Sequence, residues 1–290
     1  MRRAWRSLAT GVAVAVGVFG FGLASLRADW FIRGDTNSNG TVNISDAIEV
    51  LRHLFAGASA PSCSDAADFN DDGKLDVSDA TTLLGYLFLK QPGPVSPISG
   101  CWYDQTEDQL GCERSPACAS LGMFFVTQTS GSFSGSLTRA KAEMLKVIQR
   151  LSETDQVGMA FFDAQLIRFP ASGQPADMTP AMKEAAIAFV TSTTSDSGTC
   201  AKPAAFAALT YAAQSTAGRK QLLYFANGFN TCPGHDAATY SNEILAEVTD
   251  RNTSLLPIHA FCVGARGNVN EAWMKKLASQ NGGSFVRIIP

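Results

Sequence analysis

The chain has 290 residues, of which 46% are hydrophobic and 17% charged, and its formal net charge is −3. This length suits one large domain or two unequal ones, and the composition is typical of a globular protein. No basic run follows the N-terminus, which argues against nucleic acid as a partner. GxGxxG and P-loop motifs are both absent, so we expect no small-molecule cofactor.

The first 28 residues have the features of a secretory signal peptide. Three arginines lie within the first six residues, and an uncharged apolar run from Leu8 to Leu23 follows them. Ala28 offers a small residue for cleavage before Asp29. The run is about sixteen residues long, which is short for a bilayer, so an uncleaved anchor is only the alternative. We predict a secreted or cell-surface protein whose mature form does not span the membrane.

Two twelve-residue segments repeat with an offset of 33 residues. In each, positions 1, 3, 5, 9 and 12 hold Asp or Asn, and position 6 is a glycine where an EF-hand-type calcium loop turns sharply. Position 7 needs only its backbone carbonyl. The predicted ligands of two Ca²⁺ ions are Asp35, Asn37, Asn39, Thr41, Asn43 and Asp46 in the first loop, and Asp68, Asn70, Asp72, Lys74, Asp76 and Asp79 in the second.

Each loop leads directly into one predicted helix, from Ser45 to Ala56 and from Ser78 to Lys90, and no comparable helix precedes either loop. A unit of about sixty residues has a small core, so we expect bound ions to supply part of its folding energy. The apolar faces of the two helices are predicted to consist of Ile48, Leu51, Leu54 and Phe55, and of Leu83, Leu84, Leu87 and Phe88.

Residues 30–90 resemble a type I dockerin module, which has duplicated calcium loops closed by aspartate at position 12, each followed by a single helix. Asp46 and Asp79 carry that feature here. The resemblance implies bound Ca²⁺ and a protein partner of the cohesin type, contacted by small hydroxyl residues at the positions of Ser45 and Ser78. In the first loop, amides replace two acids that are frequent in the family, so we expect weaker Ca²⁺ binding there.

A linker containing proline and cysteine is predicted at residues 91–118, between a calcium-binding module at 29–90 and a second module at 119–290. Export to an oxidising compartment favours disulfides among the seven cysteines, and none has the CxxC spacing of a zinc site. An odd number leaves one free thiol, for which we predict Cys262 because it lies in an apolar strand pattern. The linker cysteines are expected to hold this segment in place, with Cys63 as a candidate partner, and the pairing stays open.

From Leu121 onward, apolar strand patterns alternate with helical patterns. The alternation predicts an α/β fold with a doubly wound, mainly parallel sheet of the Rossmann type, preceded by the small all-α calcium module. Ligands of such sheets bind at the carboxyl ends of the strands. Strands are predicted at 122–127, 157–162, 165–169, 221–226, 255–263 and 284–289, and helices at 136–151, 180–191, 204–213, 237–248 and 269–279.

Three loops at predicted strand ends or before a helix carry hydroxyl and amide side chains. In order, they resemble the metal-site loops of a von Willebrand factor A domain, which read Asp-x-Ser-x-Ser, then Thr, then Asp-Gly. Both carboxylates of that adhesion site are replaced by amides here. Because desolvation of a hard cation is offset mostly by charged oxygens, we expect no functional metal at these degenerate positions. The matching positions are Gln128, Ser130, Ser132, Thr199 and Asn227.

In the absence of a metal, we expect Ser130 and Ser132 to cap the following helix. Cys200 and Cys232 each follow one of the three loops, so a disulfide between them is predicted to hold this rim rigid. No Ser-His-Asp arrangement, histidine pair or obvious carboxylate pair stands out, and we predict that the protein is not an enzyme.

These features predict a secreted, non-enzymatic, calcium-binding protein. Its dockerin-like module would dock a cohesin-like or other extracellular protein, and its von Willebrand A-like domain would serve protein binding or cell adhesion. Two alternatives stay open. The chain could be a component of an extracellular polysaccharide-degrading assembly, because dockerin-like modules often accompany glycoside hydrolases, or its calcium repeat could be a purely intramolecular clamp. Adhesion through the tripeptide Arg33-Gly34-Asp35 is not expected, because Asp35 is a predicted calcium ligand.

Overall fold

The computed structural model describes residues 30–93, 100–106, 108–112 and 114–289. The predicted signal peptide and residues 94–99 of the predicted linker lie outside these ranges. In the described part of the chain, no helix is both long enough and apolar enough to cross a membrane.

The predicted calcium-binding module, called the calcium module below, contains two long helices, α1 (Ile44–Ala56) and α3 (Val77–Leu89), with a four-residue helix α2 (Ser64–Ala67) between them. The side chains of Asn43 and Asp76 cap the long helices, and the aspartate at loop position 12 completes a capping box in each case. The same aspartate therefore belongs to the loop and to the first helical turn. Helix α2 was not predicted, because four residues are too few to show a helical period.

The buried faces of α1 and α3 differ from the prediction. Ile48 and Phe55 of α1 and Phe88 of α3 are exposed, with 73% of Phe55 accessible to solvent. Small residues lie at the contact between the helices, so the helices approach closely and the larger side chains point outward. The buried residues of this core are Ala47, Val50, Ala67, Phe69, Ala80 and Leu83.

The second module, called the α/β module below, contains a mainly parallel sheet. Its strands are β3 (Leu121–Gln128), β4 (Gln156–Phe162), β5 (Leu166–Phe169), β6 (Ala176–Asp177), β7 (Arg219–Ala226), β8 (Ile258–Val263) and β9 (Phe285–Ile288). Their order in the sheet is β5-β4-β3-β7-β8-β9, and β5 and the short β6 pair antiparallel with β4. Its helices are α4 (Ser134–Arg150), α5 (Pro180–Ser192), α6 (Ala201–Gln214), α7 (Ala237–Arg251) and α8 (Glu271–Gln280). The predicted α/β fold class is confirmed.

Helices cover both faces of this sheet. Phe125 of the central strand β3 packs in the core under α4 and α5, whereas its neighbour Phe124 packs in the core under α6, α7 and α8. Successive strand residues point to opposite faces, so a central strand covered on both sides is apolar along its length. Because β3 pairs parallel with both β4 and β7, the carboxyl ends of these three strands lie side by side at one edge of the sheet.

Segments on both sides of the calcium module pack onto the α/β module. A two-stranded ribbon pairs β1 (Trp30–Phe31) with β2 (Trp102–Tyr103). Trp30 and Trp102 join the core under α4, and Trp30 Nε1 donates to the carbonyl of Arg150 at 3.1 Å. The predicted module boundaries stay a prediction, but the described part of the predicted linker contacts both modules, through Trp102 on the sheet side and Asp104 and Cys112 on the other.

Six of the seven cysteines form disulfides, and Cys262 is free and buried as predicted. The predicted bond between Cys200 and Cys232 is present. The other two bonds join cysteines of the predicted linker to each other and to the calcium module, and they are Cys101–Cys118 and Cys63–Cys112.

Candidate calcium loops and strand-end site

The first predicted calcium loop is organised around two buried carboxylates, Asp35 and Asp46. Each of their four oxygens accepts a hydrogen bond from a backbone N–H within the loop or at the helix start, at 2.8 to 3.2 Å. These bonds wrap the segment between the two aspartates around their carboxylates. The donors are the backbone amides of Asn37, Asn39, Gly40 and Asn43.

The second loop repeats this arrangement around Asp68 and Asp79. The four backbone amides at the equivalent positions, each 33 residues further along the chain, donate to the same oxygens at 2.9 to 3.4 Å. Two further carboxylates, Asp72 and Asp76, stand where the first loop has amides. Because Ca²⁺ affinity rises with the number of charged ligands, the second loop is the stronger candidate site.

Burial raises the pKa of the Asp35, Asp46 and Asp79 carboxyls. For Asp79 the pKa reaches about 6, chiefly through burial and then through the nearby charge of Asp68. Among the described residues, no lysine or arginine forms an ion pair with any of these four acids. Buried carboxylates without a cationic partner destabilise the folded state, and a divalent cation relieves that cost. The two loops therefore fit Ca²⁺.

The remaining predicted positions lie where the loop pattern requires. Thr41 and Lys74 at position 7 have exposed side chains, which leaves only their backbone carbonyls for an ion. The hydroxyls of the predicted docking residues Ser45 and Ser78 accept hydrogen bonds from the side-chain amides of the position-3 asparagines, at 3.0 and 2.9 Å. As ion ligands and docking contacts, these residues remain predictions.

A buried arginine behind the second loop was missed from the sequence. Arg33 Nη1 donates to the carbonyl of Asp68 at 2.6 Å, and Nη2 lies 2.6 Å from Asp104 Oδ1 and 3.0 Å from Asp71 Oδ1. Because Arg33 and Asp35 are both buried, the Arg-Gly-Asp tripeptide is not presented at the surface. Asp104 is 71 residues away in the chain, so local sequence carries no signal for this cluster.

Four of the five predicted strand-end positions form one hydrogen-bond network. Gln128 Nε2 donates to Ser130 Oγ at 2.6 Å, and Ser130 Oγ lies 3.0 Å from Ser132 Oγ. Gln128 Oε1 accepts from the backbone N–H of Asn227 at 3.0 Å. The fifth position, Thr199, is also buried, but among the described residues its hydroxyl makes no hydrogen bond to the other four.

This network does not fit a divalent cation. The amide of Gln128 presents an N–H donor to the Ser130 hydroxyl, and the five side chains include no carboxylate. The expectation that Ser130 and Ser132 cap the following helix was wrong. A short 3₁₀ turn over Gly131–Phe133 precedes α4, whose first turn has no side-chain cap. The serine hydroxyls bond to Gln128 and to each other instead.

Asp163 is an acid at this edge that the sequence analysis did not single out. It follows β4 directly, is buried, and accepts hydrogen bonds from the Thr129 hydroxyl at 3.4 Å and from the Gln165 backbone N–H at 2.8 Å. Its backbone carbonyl accepts from the N–H of Cys200 at 2.6 Å. Its position directly after a predicted strand was the signal that could have found it.

Residues 33–88 match the family model of the dockerin type I domain, which covers well under half of the chain. This match agrees with the duplicated loop-and-helix units at those positions. No curated protein matches the chain.

Several solved structures are similar to the α/β module. A von Willebrand factor type A structure from Catenulispora acidiphila is 14% identical with a TM-score of 0.49, over 59% of this chain and 38% of that one. BatB from Bacteroides thetaiotaomicron is 16% identical with a TM-score of 0.44, over 58% and 90%. The vWF domain of the type V pili tip protein Mfa5 from Porphyromonas gingivalis is 11% identical with a TM-score of 0.47, over 59% and 90%. Likeness at this level does not by itself assign the module to a family.

Proposed function

We propose that this protein is a secreted, non-enzymatic docking protein. In this proposal, a calcium-folded dockerin module binds a protein partner of the cohesin type, and the α/β module offers a protein-binding or adhesion surface without a metal ion. The match to dockerin type I and the three disulfides support an extracellular docking role. The observation that carries the proposal is a set of exposed apolar side chains on α1 and α3: Ile44, Ile48, Phe55, Val77 and Phe88.

These side chains form two related surfaces, because the 33-residue repeat places Val77 where the first helix has Ile44, and Phe88 where it has Phe55. Half of the Ile44 surface is exposed to solvent. Exposed apolar groups that recur at equivalent positions are typical of interaction sites rather than of isolated surface residues. The position-12 aspartates sit in the first turn of each helix, so an ion in the loop fixes the surface that follows it.

The test is calorimetric binding of the full chain to a panel of purified cohesin modules, with calcium and with a chelator. We expect calcium-dependent binding that is at least tenfold weaker in the double variant Ile44→Asp, Val77→Asp. Both positions are the first of a helix, where an aspartate favours the helix, so folding should be preserved. Ile167→Asp is the matched control, because Ile167 on β5 is also exposed. Equal affinity of the double variant and the control would reject the docking surface.

An intramolecular clamp is the second candidate function. Arg219 at the start of β7 donates to the carbonyl of Gly40 in the first calcium loop at 3.1 Å and to that of Ala117 at 2.6 Å. Val42 packs against the cores of both modules. If calcium raises the melting temperature but no cohesin module binds, the clamp is favoured over docking.

Membership in a polysaccharide-degrading assembly stays a further alternative. Release of reducing sugars by the purified chain, lost in Asp163→Asn, would overturn the proposal that the protein is not an enzyme. Secretion is tested separately by N-terminal sequencing of the exported protein, which is expected to begin at Asp29.

A further inference from the structure

A cavity of about 330 Å³ opens beside the strand-end site, where the loop after β7 meets the N-termini of α7 and α8. None of the five predicted strand-end positions lines it, although the backbone N–H of Asn270 donates to the carbonyl of Asn227 at 2.7 Å. A pocket of this size suits a small ligand. The lining residues that matter here are Phe229, Asn230, Ser241, Asn242, Asn270 and Lys276.

The side chain of Asn230 is the first sign of a ligand. Only 3% of this residue is exposed, and it lines the cavity. Its Nδ2 donates to Ser241 Oγ at 3.4 Å, whereas its Oδ1 accepts no hydrogen bond from any residue that the structure describes. Because no described protein group donates to it, this oxygen is free to accept a hydrogen bond from a ligand in the cavity.

The charge around the cavity is the second sign. Lys276 forms no ion pair with any described carboxylate, whereas its neighbour Lys275 pairs with Glu271 at 3.4 Å. The two acids next to the lining are already engaged, Glu271 also by Arg287 at 2.9 Å and Asp236 by a backbone N–H of α7 at 2.8 Å. The N-termini of α7 and α8 add partial positive charge. The cavity therefore also favours an anionic group.

We propose that this cavity binds a uronic-acid unit of a polysaccharide. A ring hydroxyl donates to Asn230 Oδ1, the sugar carboxylate pairs with Lys276, and the ring carbons pack against Phe229, of which 43% is exposed. Hydroxyls both donate and accept, which matches a lining of amides and hydroxyls. A carboxylate alone satisfies Lys276 but carries no donor for Asn230 Oδ1, whereas a single uronate ring carries both groups and apolar ring carbons for Phe229. This site is independent of docking by the calcium module.

The experiment is a titration of the calcium-loaded full chain followed by ¹⁵N–¹H NMR, with D-galacturonate and D-glucuronate as probes. D-Galactose tests the role of the carboxylate, and succinate, which carries carboxylates but no hydroxyl or N–H donor, tests the role of the sugar hydroxyls. We expect saturable binding of at least one uronate, with shifts at the lining residues. Galactose should bind about tenfold more weakly, in line with the loss of one ion pair, and succinate more weakly than the uronate.

Variants separate the site from general effects. Lys276→Ala should reduce the uronate affinity to that of galactose, whereas Lys275→Ala, the matched control, should leave it unchanged. Asn230→Leu should abolish binding, and because Asn230 is buried, the exposed variant Phe229→Ala provides a second test that does not depend on the core. The proposal is overturned by no saturable uronate binding, by equal losses in the two lysine variants, or by tighter binding of succinate than of either uronate.

Discussion

The calcium loops and the strand-end loops are both built from short polar side chains folded back onto backbone amides, yet they differ in what they require. The calcium loops bury carboxylates, and burial raises the pKa of Asp35, Asp46 and Asp79. At the strand ends, Gln128 satisfies its neighbours with its own amide, and one buried carboxylate, Asp163, accepts hydrogen bonds from Thr129 and Gln165. Each calcium loop brings two buried carboxylates together, and this higher local charge, rather than the number of oxygens, favours a cation in the loops.

The largest expected effect follows from removing one buried charge. In Asp79→Ala, most of the stabilisation that calcium gives through the second loop should be lost, about 3 to 4 kcal/mol when Ca²⁺ exceeds its dissociation constant a few hundredfold. Urea unfolding of the full chain with and without calcium measures it. Asp79 also belongs to the capping box of α3, so its removal lowers stability in both conditions. The difference in free energy of unfolding with and without calcium excludes that common loss.

Asp46→Ala, in the loop with fewer charges, should lose less of the calcium-dependent stabilisation than Asp79→Ala. Asp250→Ala, on the exposed side of α7, should lose none of it. If all three variants respond alike to calcium, the loops are not the sites of binding.

The two regions should also respond to pH with opposite signs. Burial lowers the pKa of His259 in β8 to about 4, so between pH 6.5 and 4 the unfolded state binds more protons than the folded state. This contribution to stability is complete above pH 6.5 and is lost as pH falls, by about 2 kcal/mol between pH 7 and 5. For Asp79, whose pKa is raised, calcium-free stability is instead lost as pH rises.

Urea unfolding at pH 7 and pH 5 in saturating calcium isolates the histidine effect. The backbone N–H of Ser284 donates to His259 Nδ1 at 3.1 Å. His259→Asn keeps an acceptor for that N–H but cannot titrate, so it should flatten the pH dependence of stability. An unchanged slope in this variant would show that His259 is not the titrating group.

The smallest expected effect comes from restoring charge at the strand ends. Millimolar Mg²⁺ should leave the stability of the native chain unchanged. In the double variant Gln128→Asp, Asn227→Asp, it should raise the free energy of unfolding by about 1 kcal/mol. Gln149→Asp on the exposed face of α4 is the single-charge control. A Mg²⁺ response in the native chain that disappears in Ser130→Ala would contradict the account of the network.

The sheet and its helices could be predicted from sequence because their signals are local. The pattern at 157–162, for example, gives β4 to within one residue, and the loop spacing locates both pairs of buried aspartates. Exposure was harder to predict. Ile48 and Phe55 have the apolar character of core residues, but the small side chains of Ala47 and Ala80 allow an approach of α1 and α3 that leaves them outside.

Contacts between distant parts of the chain were predicted only in part. The Cys200–Cys232 bond was predicted, and Cys63 was a candidate partner of the linker cysteines, but its pairing with Cys112 stayed open. The contact of Arg33 with Asp104 has no signal in either local sequence. Asp163 is a different case, since its place after a strand was visible and only the absence of a family motif caused it to be missed.

The contact between Arg219 and Gly40 makes the two modules thermodynamically interdependent. The carbonyl that Arg219 holds comes directly before the position-7 residue whose carbonyl would bind an ion, and a side chain at Gly40 would lie 2.1 Å from the guanidinium. An ion bound in the first loop would order Gly40 and so stabilise its contact with Arg219. By reciprocity, a change in the α/β module that stabilises this contact would raise the affinity of the loop for Ca²⁺ by the same factor.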